Sequence, residues 1–320
     1  MITFRLQNLI IAMKQHSWQA IIGRSKEILK GILYKSHSLP NLTVEGNDKQ
    51  QIHQISIVAI VKNEALYIRE WIEYHLIIGV EHFYIYDNES SDDLRSILDS
   101  YIKKGIVSYI FCPGTTMQMP AYNDASVRFK KNNRWIGFID IDEFVVINPK
   151  YYRNLKEVLT HFEPYDMLGI NWCMYDCNGK KNKPTSGYVI SNYTRRFDND
   201  NNPLNRHLKC FVKPNAIKVI LTPHYMHLFR GKKAVNENEE KLITPFPPQN
   251  SLNKIRINHY FSKSEEEYVK KISRGRSDIA QKRSFNRNAF DFSYEKTKEN
   301  DIDMQKYIDI LKNRIPDTYR

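Results

Sequence analysis

Apolar residues along this chain fall into short runs separated by polar stretches of helical length. Ile55-Ser-Ile-Val-Ala-Ile-Val61 is apolar at every position but Ser56, the pattern of a strand covered on both faces. Lys62-Asn63-Glu64 ends it, and Asn63 is the expected N-cap of a helix running to about Ile78. That helix is apolar on two faces, through Ala65, Ile68, Ile72 and Leu76 and through Tyr67, Trp71, Tyr74 and Ile78. A helix of that kind is expected between two layers rather than on the surface. Gly79 stops it, and His82–Tyr86 predicts a second strand. Asp87-Asn-Glu-Ser-Ser-Asp-Asp93 is a turn, dense in capping residues. A helix to about Lys104, a strand at Ile106–Phe111, a helix over roughly 121–131 and a strand at Trp135–Asp140 follow.

Strand alternating with helix predicts an α/β fold with a mostly parallel central sheet flanked by helices. Ligands of such sheets bind beyond the carboxyl ends of the strands, so Lys62, Asp87 and Asp140 should converge on one cleft. After residue 150 the pattern loosens. A short helix near 153–161 precedes strand-like runs at Asp166–Tyr175, Tyr188–Phe197, Leu208–Lys213 and Ile217–Leu221. Ser264 and Glu267 stand at capping-box spacing, which predicts a helix from there to about Arg274. Residues 39–54 are polar, with Pro and Gly, and predict a linker. The expected organisation is a basic amphipathic extension and linker over 1–50, a main domain over 51–290 and a helical tail over 291–320.

At 320 residues with 41% apolar content the chain can bury a full core. A formal charge of +12 calls for something anionic: nucleotide phosphate, acidic lipid head groups or nucleic acid. Within residues 1–38, Arg5, Lys14, Arg24, Lys26, Lys30 and Lys35 face the single acid Glu27, with Ile21, Ile22, Ile28, Leu29, Ile32 and Leu33 at helical spacing. This segment either lies on an anionic membrane surface or packs as a helical extension. No apolar stretch is long enough to span a bilayer, and Lys14 interrupts Leu9–Met13 with no small-residue cleavage site after it. Cys112, Cys173, Cys177 and Cys210 form no Cys-x-x-Cys pair and no zinc-finger spacing, which favours a reducing compartment. The expected location is the cytoplasm, with peripheral attachment to the inner face of the plasma membrane.

Candidate chemistry concentrates in Trp135-Ile-Gly-Phe-Ile-Asp-Ile-Asp-Glu-Phe144. If the strand continues through it, alternation puts Asp140 and Asp142 on one side and Ile141 on the other. Two carboxylates on one side repel each other and are costly to desolvate unless a cation lies between them. Mg²⁺ or Mn²⁺ prefers such oxygen ligands and often brings a phosphorylated substrate. Asp-x-Asp alone is usually a solvated turn. The apolar flanks are what place this one at the edge of a buried sheet.

Several blocks then share one likeness. Ile60-Val-Lys-Asn-Glu-Ala-Leu-Tyr-Ile-Arg-Glu-Trp-Ile-Glu-Tyr-His75, Gly79–Asn88, Ser90-Ser-Asp92, Gln118-Met-Pro-Ala-Tyr-Asn123, Trp135–Phe144 and Ile257-Asn-His-Tyr-Phe-Ser-Lys-Ser264 together resemble family 92 glycosyltransferases and their bacterial family 2-like relatives. The resemblance covers roughly 55–280. It implies a GT-A fold, a nucleotide-diphosphate sugar donor (UDP-linked as the first expectation), an acceptor that is a glycan or lipid-linked saccharide of a surface polysaccharide, and inversion at the transferred carbon. It also implies Mn²⁺ or Mg²⁺ held at Asp-x-Asp. Carried over, Lys62, Asn63, Glu64 and Asp87 line the nucleoside pocket, Asp140 faces ribose or metal, and Asp142 ligates the metal. His259 completes the metal shell, with His224 as the second candidate. Where relatives resemble Trp-x-x-Phe-Gly-Ser, this chain has Trp172-Cys-Met-Tyr-Asp-Cys177, so the acceptor does not transfer with the likeness.

Beside these, Lys263, Arg274 and Arg276 either clamp the diphosphate or form a solvated basic helix end. Gln118, Tyr122 and Asn123 either touch donor or acceptor or, for Tyr122, pack in the core. Glu143 either braces the metal loop or pairs with a basic neighbour. Asp176 is a candidate catalytic base or a turn residue. A second class of reading, a basic nucleic-acid-binding protein, rests on charge and aromatics. The scattered bases and the Asp140–Glu143 acids speak against it, so no nucleic-acid partner is expected. An ATP-dependent phosphotransferase lacks any G-x-x-x-x-G-K-[ST] or G-x-G-x-x-G string.

Overall fold

A computed structural model of the chain describes residues 37–46, 52–197, 203–273 and 297–315. Most of the basic segment expected over 1–38, and Arg274 and Arg276, lie outside the described residues. The first half runs β1 (Val44–Glu45), β2 (His53–Val61), α1 (Ala65–Ile77), β3 (His82–Asp87), α2 (Leu94–Lys103), β4 (Val107–Phe111), α3 (Gln118–Arg128) and β5 (Asn133–Phe138). Next come β6 (Glu143–Ile147), α4 (Leu155–His161), β7 (Met167–Met174), α5 (Val189–Asn192), β8 (Arg195–Phe197) and β9 (Leu208–Val212). The hairpin β10 (Ile217–Thr222) and β11 (Tyr225–Leu228), then β12 (Ala234–Val235), β13 (Ile255–His259), α6 (Glu265–Ser273), β14 (Thr297–Asn300) and α7 (Ile308–Arg314) complete it.

The apolar run 55–61 is the middle of the sheet. β2 pairs in parallel with β3 on one side and β5 on the other, so that Ile57 faces Phe83 and Gly137, and β4 adds in parallel beyond β3. Each return passes through a helix, as parallel pairing requires. The strands then alternate cleanly between two cores. Ile55, Ile57, Ala59, Phe83 and Ile85 pack with α1 and α2, whereas Val58, Tyr84, Tyr86, Ile136 and Phe138 pack with α3. Past β5 the sheet turns mixed, in the order β1-β4-β3-β2-β5-β9-β7-β13-β6 with β12 on β7. The expected α/β class is borne out in this large central sheet with helices on its faces. Gly137 is needed where β9 crosses close to β5: an added Cβ would lie 2.6 Å from the Phe211 ring.

β6 ends the sheet, and α1 satisfies its open edge. Trp71 Nε1 donates to Glu143 O at 2.9 Å and Tyr74 OH to Val145 O at 2.7 Å. His75 lies behind them, its pKa lowered to about 3 by burial, neutral and hydrogen-bonded through Nδ1 to Trp71 O at 2.8 Å. The C-terminal segment also packs on α1, with Tyr307, the residue before α7, edge-on to Tyr74 at 5.0 Å and Arg314 Nε of α7 on Glu73 at 2.6 Å. The two-faced helix is therefore sandwiched, as its sequence predicts.

Three expectations change. Within the predicted linker, Val44–Glu45 is a strand on β4, and Leu39 N–H donates to Asp124 Oδ1 at 2.6 Å. In place of a tail, Thr297–Asn300 pairs with β8, Met304, Leu311 and Ile315 enter the main core, and Asp301 accepts from Arg256 Nη2 at 2.6 Å. The predicted strand Tyr188–Phe197 is the short α5 followed by β8. Its cause is remote in sequence: the buried carboxylate of Glu70, on α1, accepts from Val189 N–H at 2.8 Å and Ile190 N–H at 3.1 Å.

Glu70 sets a testable pH dependence. Burial raises its pKa from 4.5 to about 7, against the lowering effect of those two amides and Lys263. Above pH 4.5 the unfolded chain sheds this proton while the folded chain keeps it, so stability falls as pH rises towards 7. At 1.36 kcal/mol per pH unit the loss is about 3 kcal/mol. Relative to the parent, Glu70→Gln should gain about that much between pH 4.5 and 7.5 in urea denaturation. A constant difference across the range would contradict the assignment.

Candidate functional site

The acids arrive on a turn, not on an extended strand. β5 ends at Phe138, Ile141–Asp142 form a turn, and Glu143 N–H donates to Asp140 O at 3.0 Å. Glu143 folds its own carboxylate back to accept from Asp140 N–H at 2.9 Å. The alternation expected for Asp140 and Asp142 therefore fails, because a closed turn with a side-chain brace replaces the pleat. Both acids nonetheless stay at the carboxyl end of β5, the edge where a parallel sheet binds ligands.

Asp140 belongs to the protein. Its Oδ2 meets Lys209 Nζ at 2.8 Å, and its Oδ1 accepts from Tyr122 OH at 2.9 Å and Gln118 Nε2 at 3.1 Å. Gln118 and Tyr122 lie one turn apart on α3, which is why both reach it. Lys209, wholly buried on β9, also stands 3.3 Å from Glu143 Oε2. Burial opposes the ammonium, but Asp140 and Glu143 more than offset it and raise its pKa. Glu143 is pushed well above the carboxylate range by burial and by Asp140 and Asp142, against the pull of Lys209. Asp140 is thus held by three donors, as a lysine-paired anchor of the turn. Lys209 went unnoticed in the sequence. The available signal was a cation inside the apolar strand Leu-Lys-Cys-Phe-Val, which can be buried only against a carboxylate.

Asp142 faces the other way, into a second group of charges. Its Oδ2 lies 3.5 Å from His259 Nε2 and pairs with Lys271 Nζ of α6, while its carbonyl accepts from Tyr260 N–H at 2.8 Å. His259 ends β13, opposite Glu143 across the β6 pairing and beside Trp172, whose ring centroid is 4.2 Å away. Burial works against charge on Asp142, yet Lys271 and His259 hold its carboxyl well below the usual range. Burial lowers the His259 pKa despite Asp142 beside it. Lys263 stands 3.4 Å over the Tyr67 ring and 3.8 Å from Glu64.

Among the described residues no three His, Cys, Asp or Glu side chains converge on one metal position; of the expected set Asp140, Asp142 and His259, the last two form a close pair. That pair suits an ion. Ligands at ~2.1 Å in neighbouring octahedral positions lie roughly 3 Å apart, and Mg²⁺-type sites commonly use one or two protein groups plus phosphate and water. The observed 3.5 Å between Asp142 Oδ2 and His259 Nε2 is compatible with that use. His224, the second candidate, turns Nδ1 to Leu208 O at 3.0 Å and sits edge-on to Trp172.

Residues 55–297 match the model described as Glycosyltransferase family 92. The chain belongs to glycosyltransferase family 92. A family 92 protein of Oryza sativa subsp. japonica is 28% identical over 232 residues, covering 70% of this chain and 36% of its own length. One from Ricinus communis is 28% identical over 229 residues, covering 69% and 38%. The chain therefore spans little more than a third of the length of these curated relatives. Among solved structures, S. aureus TarS 1–349 in complex with UDP is 14% identical, covering 51% of this chain and 47% of that one at a TM-score of 0.33, too slight a likeness to argue from.

The remaining family 92 candidates divide between the cleft edge and the framework. Lys62, Asn63, Glu64 and Asp87 sit at the adjacent ends of β2 and β3, where Val61 pairs with Asp87. Asn63 does not cap α1; Asp92 Oδ2 does so, accepting from Ala65 N–H at 2.9 Å. Instead Asn63, in the left-handed region at φ 56°, clips the 88–93 loop by accepting from Ser91 N–H at 2.7 Å. Asp87 accepts from Tyr109 OH at 2.7 Å and Ser90 N–H at 2.8 Å. Asn123 is corrected to a framework residue: its amide donates to Ile220 O at 2.8 Å and accepts from Ile220 N–H at 3.0 Å, tying α3 to the β10 hairpin. Asp176 is corrected likewise. It is buried, paired with Arg195 through Nε at 3.0 Å and through Nη2, and accepts from Asn178 N–H at 2.7 Å. A buried carboxylate holding three donors serves as a framework ion pair.

Proposed function

We propose that this chain transfers a sugar from a nucleotide-diphosphate donor, UDP-linked, to a hydroxyl of a glycan or lipid-linked saccharide acceptor in surface polysaccharide synthesis. Transfer inverts the reacting carbon and depends on Mn²⁺ or Mg²⁺. One observation carries the reading: Asp142 and His259 stand 3.5 Å apart beside the sheet's carboxyl edge, among Lys263, Lys271 and Glu64, in a chain of family 92.

Sugar transfer from such a donor builds negative charge on the departing diphosphate, so the site must supply positive charge that is already in place. Asp142 and His259 would hold the divalent ion, which when bound supplies Lewis-acid neutralisation of that charge. Lys263 and Lys271 add cations from the segment following β13. Lys209 does not take part; it holds Asp140 so that the turn presents Asp142 at a fixed angle. The ends of β2 and β3 at Lys62 and Asp87 offer the nucleoside its edge of the sheet.

A thermal-shift screen of nucleotide sugars with and without Mn²⁺ tests this directly. The expected result is stabilisation by a UDP-sugar that depends on the metal. At a hundredfold excess over Kd the gain would be about 2.7 kcal/mol. No response to any nucleotide sugar would remove the donor from the account, and an equal response without metal would remove the ion.

A further inference from the structure

Two lysines divide the acid pair between them, and they are placed differently. Lys209 is sealed in the core at 0% exposure, whereas the Lys271 side chain is 24% exposed. Lys271 Nζ donates to Asp142 Oδ2 and to Phe261 O at 3.1 Å, and lies 3.9 Å over the Phe261 ring. Its helix, α6, is fixed at the opposite end. Ser264 Oγ and N–H donate to Glu267 Oε2, whose carboxylate also takes the hydroxyls of Tyr193 at 2.8 Å and of Tyr67. Lys271 lies near the carboxyl end of that helix, so its flexible stem can swing while α6 stays docked.

We propose that Lys271 is a placeholder cation, occupying on Asp142 the position a divalent ion would take and moving to the donor's diphosphate when the ion arrives. The inference rests on the metal-dependent reading above. An ammonium and a divalent ion on Asp142 Oδ2 would repel at contact distance, so the two compete for that oxygen. With no ligand bound, Lys271 keeps the buried Asp142 carboxylate neutralised and so competes with the metal. With donor bound, the same ammonium is released within reach of the new negative charge, and metal and donor binding become coupled.

The competition and the later contact predict opposite signs for one substitution. In the full-length chain, Mn²⁺ binding read from the free-ion EPR signal should be at least tenfold tighter in Lys271→Met than in the parent. UDP affinity at saturating Mn²⁺ should be at least tenfold weaker. Lys271→Gln should behave the same way and serves if Lys271→Met does not fold; a lysine that only packs α6 would give neither change. Equal Mn²⁺ affinity in parent and variants, or tighter Mn²⁺ binding with unchanged UDP affinity, overturns the proposal while leaving the metal reading intact. Mn²⁺ retained by none of these proteins overturns both.

Discussion

Asp142→Ala should reduce sugar transfer by about 10²–10³-fold while the protein remains folded. Removing one preorganised group that stabilises transition-state charge commonly costs about 10²–10³ in kcat, and a ligand to the ion that neutralises the leaving group belongs to that class. Alanine leaves His259 as the one protein ligand of the pair and frees Lys271. The fold should tolerate the change. The Tyr260 N–H bond goes to the Asp142 backbone carbonyl, which alanine keeps, and Lys271 is exposed enough to turn its ammonium to water. A stability loss within about 2 kcal/mol is therefore expected. Product formation with the donor found in the thermal-shift screen, set beside urea denaturation of the same protein, separates the two effects. Transfer within tenfold of the parent would take Asp142 out of the chemistry.

The first half of the chain was legible because its local and tertiary signals agree. Apolar runs buried on both faces mark β2 to β5, Gly79 and Gly105 follow the helices that end before them, and Ser264 with Glu267 forms the predicted capping box at α6. What stayed hidden depends on partners far away in sequence. Tyr188–Phe197 reads as a strand, and only Glu70, about 120 residues earlier, explains why Val189 and Ile190 open a helical turn instead. The same holds at the site. Asp140 and Asp142 look equivalent in Asp-x-Asp, and what distinguishes them is a lysine 69 residues beyond Asp140 and another 129 residues beyond Asp142. No periodicity argument reaches those pairs. Asn63 failed as a cap for a related reason: Asp92 lies one crossover away and reaches Ala65 first.

Lys209→Met should be the most destabilising single change near the site, at about 3–5 kcal/mol, the usual range for removing one partner of a buried ion pair. Methionine fills the aliphatic volume but leaves the Asp140 carboxylate and the Glu143 carboxyl facing the gap. Asp140 keeps Tyr122 and Gln118 as donors and is partly exposed, so it can recruit water. Glu143 has no such recourse. It is fully buried, its Oε1 already lacks a partner, and burial favours its neutral form even with Lys209 present. Without that cation the folded chain holds the Glu143 proton still more tightly, and the unfolded chain releases it in the ordinary carboxylate range. Parent and variant both lose stability as pH rises above the ordinary carboxylate range, so the variant's deficit must widen only once pH passes the parent's own raised Glu143 value, and shrink again below it. Adding Glu143→Gln to Lys209→Met removes the carboxyl that must stay protonated while preserving shape, so at pH 8 the double variant should recover more than half of the loss. Denaturant titrations of the four proteins of this cycle, at pH 5 and pH 8, give the coupling directly. A single-variant cost below about 1 kcal/mol, or a double variant no more stable than Lys209→Met, would mean that the turn presenting Asp142 is held by something other than Lys209.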